Sequence, residues 1–146
     1  MSKSNTFENE LLLHIFNNSA IALIGDASGL QPSATAGSLY VALHTGDPGE
    51  AGTATTSEAA YTSYARVAVA RSGAGWTVSG NAVSNAALVQ FPQCTGGSET
   101  LTHFSVTTAS SGGTKLLYKG ALSASLAVSS GIQPQFAIGD LSISED

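Results

Sequence analysis

The chain has 146 residues, enough for one domain with a real core and too few for two comfortable ones. Apolar residues make up 42% and charged residues only 10%, against a usual charged share of about 25%, and the net charge is -5. That balance excludes a disordered polyelectrolyte, and a pI of about 4.9 excludes the clustered basic surface that direct nucleic-acid binding needs.

Ser, Thr, Gly, Ala and Asn stand where charge is missing. A hydroxyl that finds a partner is far cheaper to bury than an unpaired charge, so such a surface suits a protein whose exterior becomes interface. Cys94 is the only cysteine, which rules out an intrachain disulfide and is compatible with folding in a reducing cytoplasm. No apolar run approaches the roughly 18–20 residues of a membrane span, so no membrane partner is expected. Glu8 and Glu10 lie where a secretory signal would carry basic residues.

The first predicted element is a helix near residues 6–17. Asn5 or Thr6 can cap it, and Glu8 and Glu10 then fall in the first turn, where negative charge suits the helix dipole. Phe7, Leu11 and Ile15 recur at spacing four with Leu12 and Phe16 beside them, giving an apolar stripe. The apolar stretch Ala20–Ile24 either extends this helix or forms a separate turn. Gly25, Asp26, Gly29, Pro32 and Gly37 mark the next residues as a loop.

From Ser38 the pattern changes to short strands. Leu39–His44, Ala65–Arg71, Trp76–Ser79, Ala82–Ser84 and Ala87–Phe91 are separated by turn signals such as Asp47-Pro48-Gly49, Ser72-Gly73-Ala74-Gly75 and Gly80-Asn81. Thr100–Thr107, Lys115–Lys119, Leu126–Val128, Gln135–Ile138 and Leu141–Ile143 follow. Short strands with frequent turns and no alternating helices predict an all-β fold, an antiparallel, jelly-roll-like β-sandwich preceded by a short α-helix. The expected organisation is one globular domain, with residues 1–24 as a helical arm and residues 38–146 as the sandwich.

No catalytic set emerges. His44 and Asp47 are close in sequence, but the expected role of Asp47 is to open an Asp-Pro-Gly turn. His14, His103 and Cys94 lack metal-ligand spacing. Asp26, Glu50, Glu58 and Glu99 all fall in predicted loops, and no nucleophile elbow or phosphate loop is present. Cys94 reads as a small buried hydrophobe. Tyr40, Tyr61, Tyr64 and Trp76 read as core or rim packing rather than a sugar platform. The expectation is therefore no catalytic, cofactor-binding or metal residues. The stripe Phe7, Leu11, Leu12, Ile15 and Phe16 is the expected assembly interface, because an outlying helix can dock into a neighbour's groove; the alternative is that it caps one open end of its own sandwich.

The string "LYVALHTGDPGEAGTATTSEAAYTSYARVAVARSGAGWTVSGNAVSN" over Leu39–Asn85, with "FPQCTGG", "HFSV" and the N-terminal "SNTFENELLLHIFN", resembles a family of small structural proteins of tailed bacteriophages. The likeness covers nearly the whole chain, and relatives carry both capsid and tail-fibre labels. It is also similar to jelly-roll cement proteins of phage capsids. The resemblance implies a non-enzymatic virion structural protein on the capsid exterior, made in the host cytoplasm. Its implied partners are the major capsid protein, whose shell it would decorate and stabilise, and copies of itself as a dimer or trimer. The alternatives are a tail-fibre or receptor-binding module and, as a different class, a glycan hydrolase.

Overall fold

The computed structural model describes residues 1–146. In chain order it holds helix α1 (Asn5–Asn17) and strands β1 (Ser38–His44), β2 (Val67–Ala70), β3 (Trp76–Ser79), β4 (Ala82–Asn85), β5 (Val89–Gln90), β6 (Ser98–Thr107), β7 (Leu116–Ser129), β8 (Gln135–Phe136) and β9 (Ser142–Ser144). The fold is all-β, with antiparallel sheets and one short N-terminal helix, consistent with an all-β sandwich. The sheets run in the orders β2-β1-β6-β7, β3-β4-β9 and β5-β8. No helix is long and apolar enough to cross a membrane.

The chain divides into two compact units. Unit 1 comprises Met1–Ser38, Ala70–Leu88 and Phe136–Asp146; unit 2 comprises Leu39–Val69 and Val89–Gln135.

In unit 1, α1 starts one residue earlier than the sequence suggests. Ser4, not Asn5 or Thr6, is the cap: its backbone is extended and its Oγ accepts from the Phe7 N–H at 3.4 Å. Glu8 therefore lies in the first turn and Glu10 beyond it. Asn18 ends the helix in the left-handed conformation, its N–H donating to the Leu13 carbonyl. Arg71 closes the same end, its Nε donating to the Ile15 carbonyl and its Nη2 to that of His14, both at 2.7 Å. These carbonyls have no partner within the helix, and a cation there also complements the dipole.

The buried side of α1 packs on β3 and β4. Leu12 and Phe16 are fully buried, and the Phe16 ring meets Trp76 edge-on at 4.8 Å. Burying each contributes roughly 1.5–3 kcal/mol. The stretch Ala20–Ile24 does not extend the helix. Ile21 and Leu30 exchange both backbone hydrogen bonds, closing a loop in which Asp26 accepts from the Ser28 and Gly29 N–H groups. Gly29 has a φ of 66°, and a Cβ there would stand 1.9 Å from the Ile21 carbonyl oxygen, so only glycine closes this turn.

In unit 2, β1 pairs along its length with β6, and Val41 to His44 are buried on both faces. The sequence predicts two separate segments over Lys115–Lys119 and Leu126–Val128. They form one strand, β7, because its antiparallel pairing with β6 continues through Gly120. Gly120 stands opposite Phe104, whose ring lies across it where a Cβ would come within 2.8 Å.

Candidate functional site

The most concentrated polar chemistry lies in unit 2 around His44. This residue is fully buried at the end of β1. Its Nδ1 donates to the Thr56 carbonyl at 2.9 Å, which fixes the tautomer and leaves Nε2 to accept from the Ser105 hydroxyl at 2.8 Å. Burial is the main reason the imidazole's pKa lies below its ordinary value, opposed by the hydrogen bond to Thr56 and by Glu58. A serine hydroxyl on a neutral imidazole has the form of a nucleophile and its base. Ser105 is itself fully buried, however, so the pair ties β1 to β6 and presents no oxygen to a substrate.

Beside it, Glu58 and Arg66 form a forked ion pair, Nε to Oε1 at 2.6 Å and Nη2 to Oε2 at 2.8 Å. The remaining guanidinium donors go to the carbonyls of Ala109 and Gly112 at 2.9 and 2.8 Å and to the Thr114 hydroxyl at 3.4 Å. Arg66 thereby holds the loop between β6 and β7, and Glu58 raises its pKa further. Tyr64 donates to Glu58 and accepts from the Leu43 N–H, and burial pushes its pKa up.

Asp47 has no contact with His44. Its carboxylate accepts from the Gly49 N–H at 2.9 Å, as an Asp-Pro-Gly turn requires, and pairs with Lys119 at 2.9 Å. The first of these does most to hold its pKa down. His14 Nδ1 donates to the Ser19 carbonyl, and His103 bonds Thr102. Cys94 is buried, with its thiol against the Gly96 carbonyl at 3.2 Å. No group of three or more His, Cys, Asp or Glu side chains is placed to hold a metal ion.

Of the aromatics singled out in the sequence, Tyr61 and Trp76 are buried, and Tyr40 and Tyr64 are half-buried. Tyr61 meets Tyr64 edge-on at 5.4 Å, and Tyr64 stacks on Phe91 at 6.3 Å. The Tyr61 hydroxyl donates to the Pro92 carbonyl, and burial lifts its pKa to about 12. Glu58 and Glu99 are both expected in loops, but Glu99 lies in β6; it accepts from the Ala60 and Tyr61 N–H groups, and Glu58 accepts from the Arg66 guanidinium.

Within the predicted stripe on α1, Leu12 and Phe16 are fully buried inside unit 1, while Phe7, Leu11 and Ile15 keep partial exposure. Sequence reasoning missed Ser105 and Asn85. Asn85, in unit 1, is buried, donates through Nδ2 to the carbonyls of Ala87 and Ala137 at 2.8 Å, and accepts from the Leu141 N–H at 3.0 Å. An Asn closing a short strand carries no signal that would have singled it out.

The site thus consists of internally satisfied polar groups inside a β framework. The family model described as podophage GP4 fiber I protein gp80 matches residues 2–144. The chain belongs to this family. No curated protein matches it. Membership makes the fiber I family chain a structural component of a phage virion, in agreement with the resemblance carried by Leu39–Asn85.

Proposed function

We propose that this fiber I family chain is a non-catalytic subunit of a tail fibre. The observation that carries the reading is the family match over residues 2–144, nearly the whole chain, under a description that names a fibre. The burial of Ser105 and His44 supports it, since the one pair with nucleophile-and-base form is spent on joining strands. The cement role on the capsid exterior, expected at first, has no observation that favours it over the fibre. Copies of the same chain are the proposed partners, and on α1 the residues still available for docking are Phe7, Leu11 and Ile15.

The test is to locate the chain in virions by electron microscopy with an antibody label. Label on tail appendages, together with lost adsorption and intact heads in particles lacking the protein, is expected. Label distributed over the capsid shell would overturn the fibre reading and restore the cement role. Release of soluble products from host surface polysaccharide would overturn the non-catalytic part.

A further inference from the structure

β7 ends the four-stranded sheet, so one of its edges has no strand beside it. Proteins commonly blunt such edges with charge. Here no charged residue occurs between Lys119 and Asp140. Within that stretch every residue from Ser123 to Ala127 is exposed, including Leu126 at 37%. The pairing with β6 is also loosest there. Leu101 pairs with Leu126 and His103 with Ala121, which leaves Leu122, Ser123, Ala124 and Ser125 against Thr102 alone. This bulge carries apolar side chains and no charge, in a chain of net charge -5.

The sequence of the segment adds a direction. Ala121-Leu122-Ser123-Ala124-Ser125-Leu126-Ala127 reads identically from either end. We infer that this segment of β7 is a self-recognition edge, which pairs antiparallel with the same segment of a second copy about a two-fold axis at Ala124. In that register Leu122 faces the partner's Leu126, Ser123 faces the partner's Ser125, and Ala124 faces itself. Apolar side chains meet apolar ones and hydroxyls meet hydroxyls; each off-axis pair occurs twice and the Ala124 pair once on the axis, as an isologous contact demands. The charge pattern also favours a second copy over a charged partner. Two such edges approach without like-charge repulsion, while a basic or acidic segment would find nothing here to pair with.

A paired edge of this length is about 24 Å long. It buries well under the roughly 800 Å² per partner of a stable interface. The contact is accordingly weak in dilute solution and gains strength where an assembly holds copies close together. The inference does not depend on whether that assembly is a fibre.

Cysteine cross-linking of the full chain tests it, since the native Cys94 is buried. Directly opposed residues in such a pair lie within disulfide reach. Under mild oxidation Ala124→Cys should form disulfide dimers at least ~10-fold faster than Ala121→Cys or Ala127→Cys alone, whereas a mixture of the latter two should cross-link as fast as Ala124→Cys. Wild-type chain should self-associate with concentration in sedimentation equilibrium, and the Ser123→Lys/Ser125→Lys variant, altered only at exposed positions, should remain monomeric. Equal cross-linking by all three single variants would indicate parallel pairing and overturn the proposal. A wild type that stays monomeric while Ala124→Cys fails to cross-link would overturn it too, as would unchanged association of the lysine variant.

Discussion

His44 shows how a single buried side chain sets a pH response. The folded chain holds its imidazole neutral, with a pKa below the ordinary 6.5, chiefly because of burial. Above that value neither folded nor unfolded chain binds a proton there, and the contribution to stability is constant. As pH falls below about 6.5 the unfolded chain takes up a proton that the folded chain refuses, so stability drops, by up to about 1.4 kcal/mol per pH unit. Urea unfolding midpoints should therefore decline between about pH 6.5 and 5.5, above the window in which carboxylates titrate. His44→Gln should lose most of that slope; an equal slope in the variant would refute the assignment. Asn85 makes a different test. Asn85→Ala leaves the buried N–H of Leu141 without its partner and removes the Nδ2 bonds to the Ala87 and Ala137 carbonyls, and at ~1–3 kcal/mol for one buried unsatisfied group it should cost about 1–3 kcal/mol in chemical denaturation. What was legible at this scale was local. The Asp47 turn closes over two residues, and Cys94 lies beside a proline and a Gly-Gly pair, so composition sufficed. Ser105 lies 61 residues from His44 and Leu141 56 residues from Asn85, and no local pattern encodes these pairings.

At the scale of elements, the helix was legible because its apolar spacing, cap and stop are all short-range signals. The misplacement of its cap shows the limit: Ser4, Asn5 and Thr6 are all good capping residues, and only the fold of unit 1 selects among them. β7 joins what the sequence predicts as two segments, with Gly120 and small residues between them. Phe104 across Gly120 supplies the packing that glycine lacks, and that neighbour comes from another strand. Arg71 is the tertiary contribution to α1. Its hydrogen bonds to the His14 and Ile15 carbonyls are charge-assisted, and Nη1 adds the Ala36 carbonyl at 3.1 Å. Arg71→Ala should lower unfolding stability by about 1.5–3 kcal/mol, with a loss of helical signal in far-UV circular dichroism. Arg71→Lys should recover less than half of this, because an ammonium cannot reach both carbonyls with a planar fork. Full recovery by lysine would mean that charge near the helix end, rather than the fork, is what matters.

For the molecule as a whole, the two units are interleaved in sequence. The chain passes from one to the other at Ser38–Leu39, Val69–Ala70, Leu88–Val89 and Gln135–Phe136. No composition shift marks these points, since each lies within or next to a strand. A contiguous segment holding all of unit 2 must therefore also carry Ala70–Leu88, with β3 and β4 but neither α1 nor β9. That consequence can be measured through Trp76, the only tryptophan. In the full chain its side chain is fully buried, with Phe16 against its ring, and β4 is flanked by β9 through Val83 opposite Ile143. A fragment spanning residues 39–135 keeps only the β3–β4 hairpin, and a lone two-stranded hairpin is marginal in water. Trp76 in that fragment should emit at longer wavelength and be quenched by acrylamide several-fold more readily than in the full chain. Addition of a peptide of residues 1–38 should not by itself restore burial, because β9 is still missing. If Trp76 stays protected in the fragment alone, the hairpin has found cover elsewhere, and the dependence of unit 1 on its three separated segments is disproved.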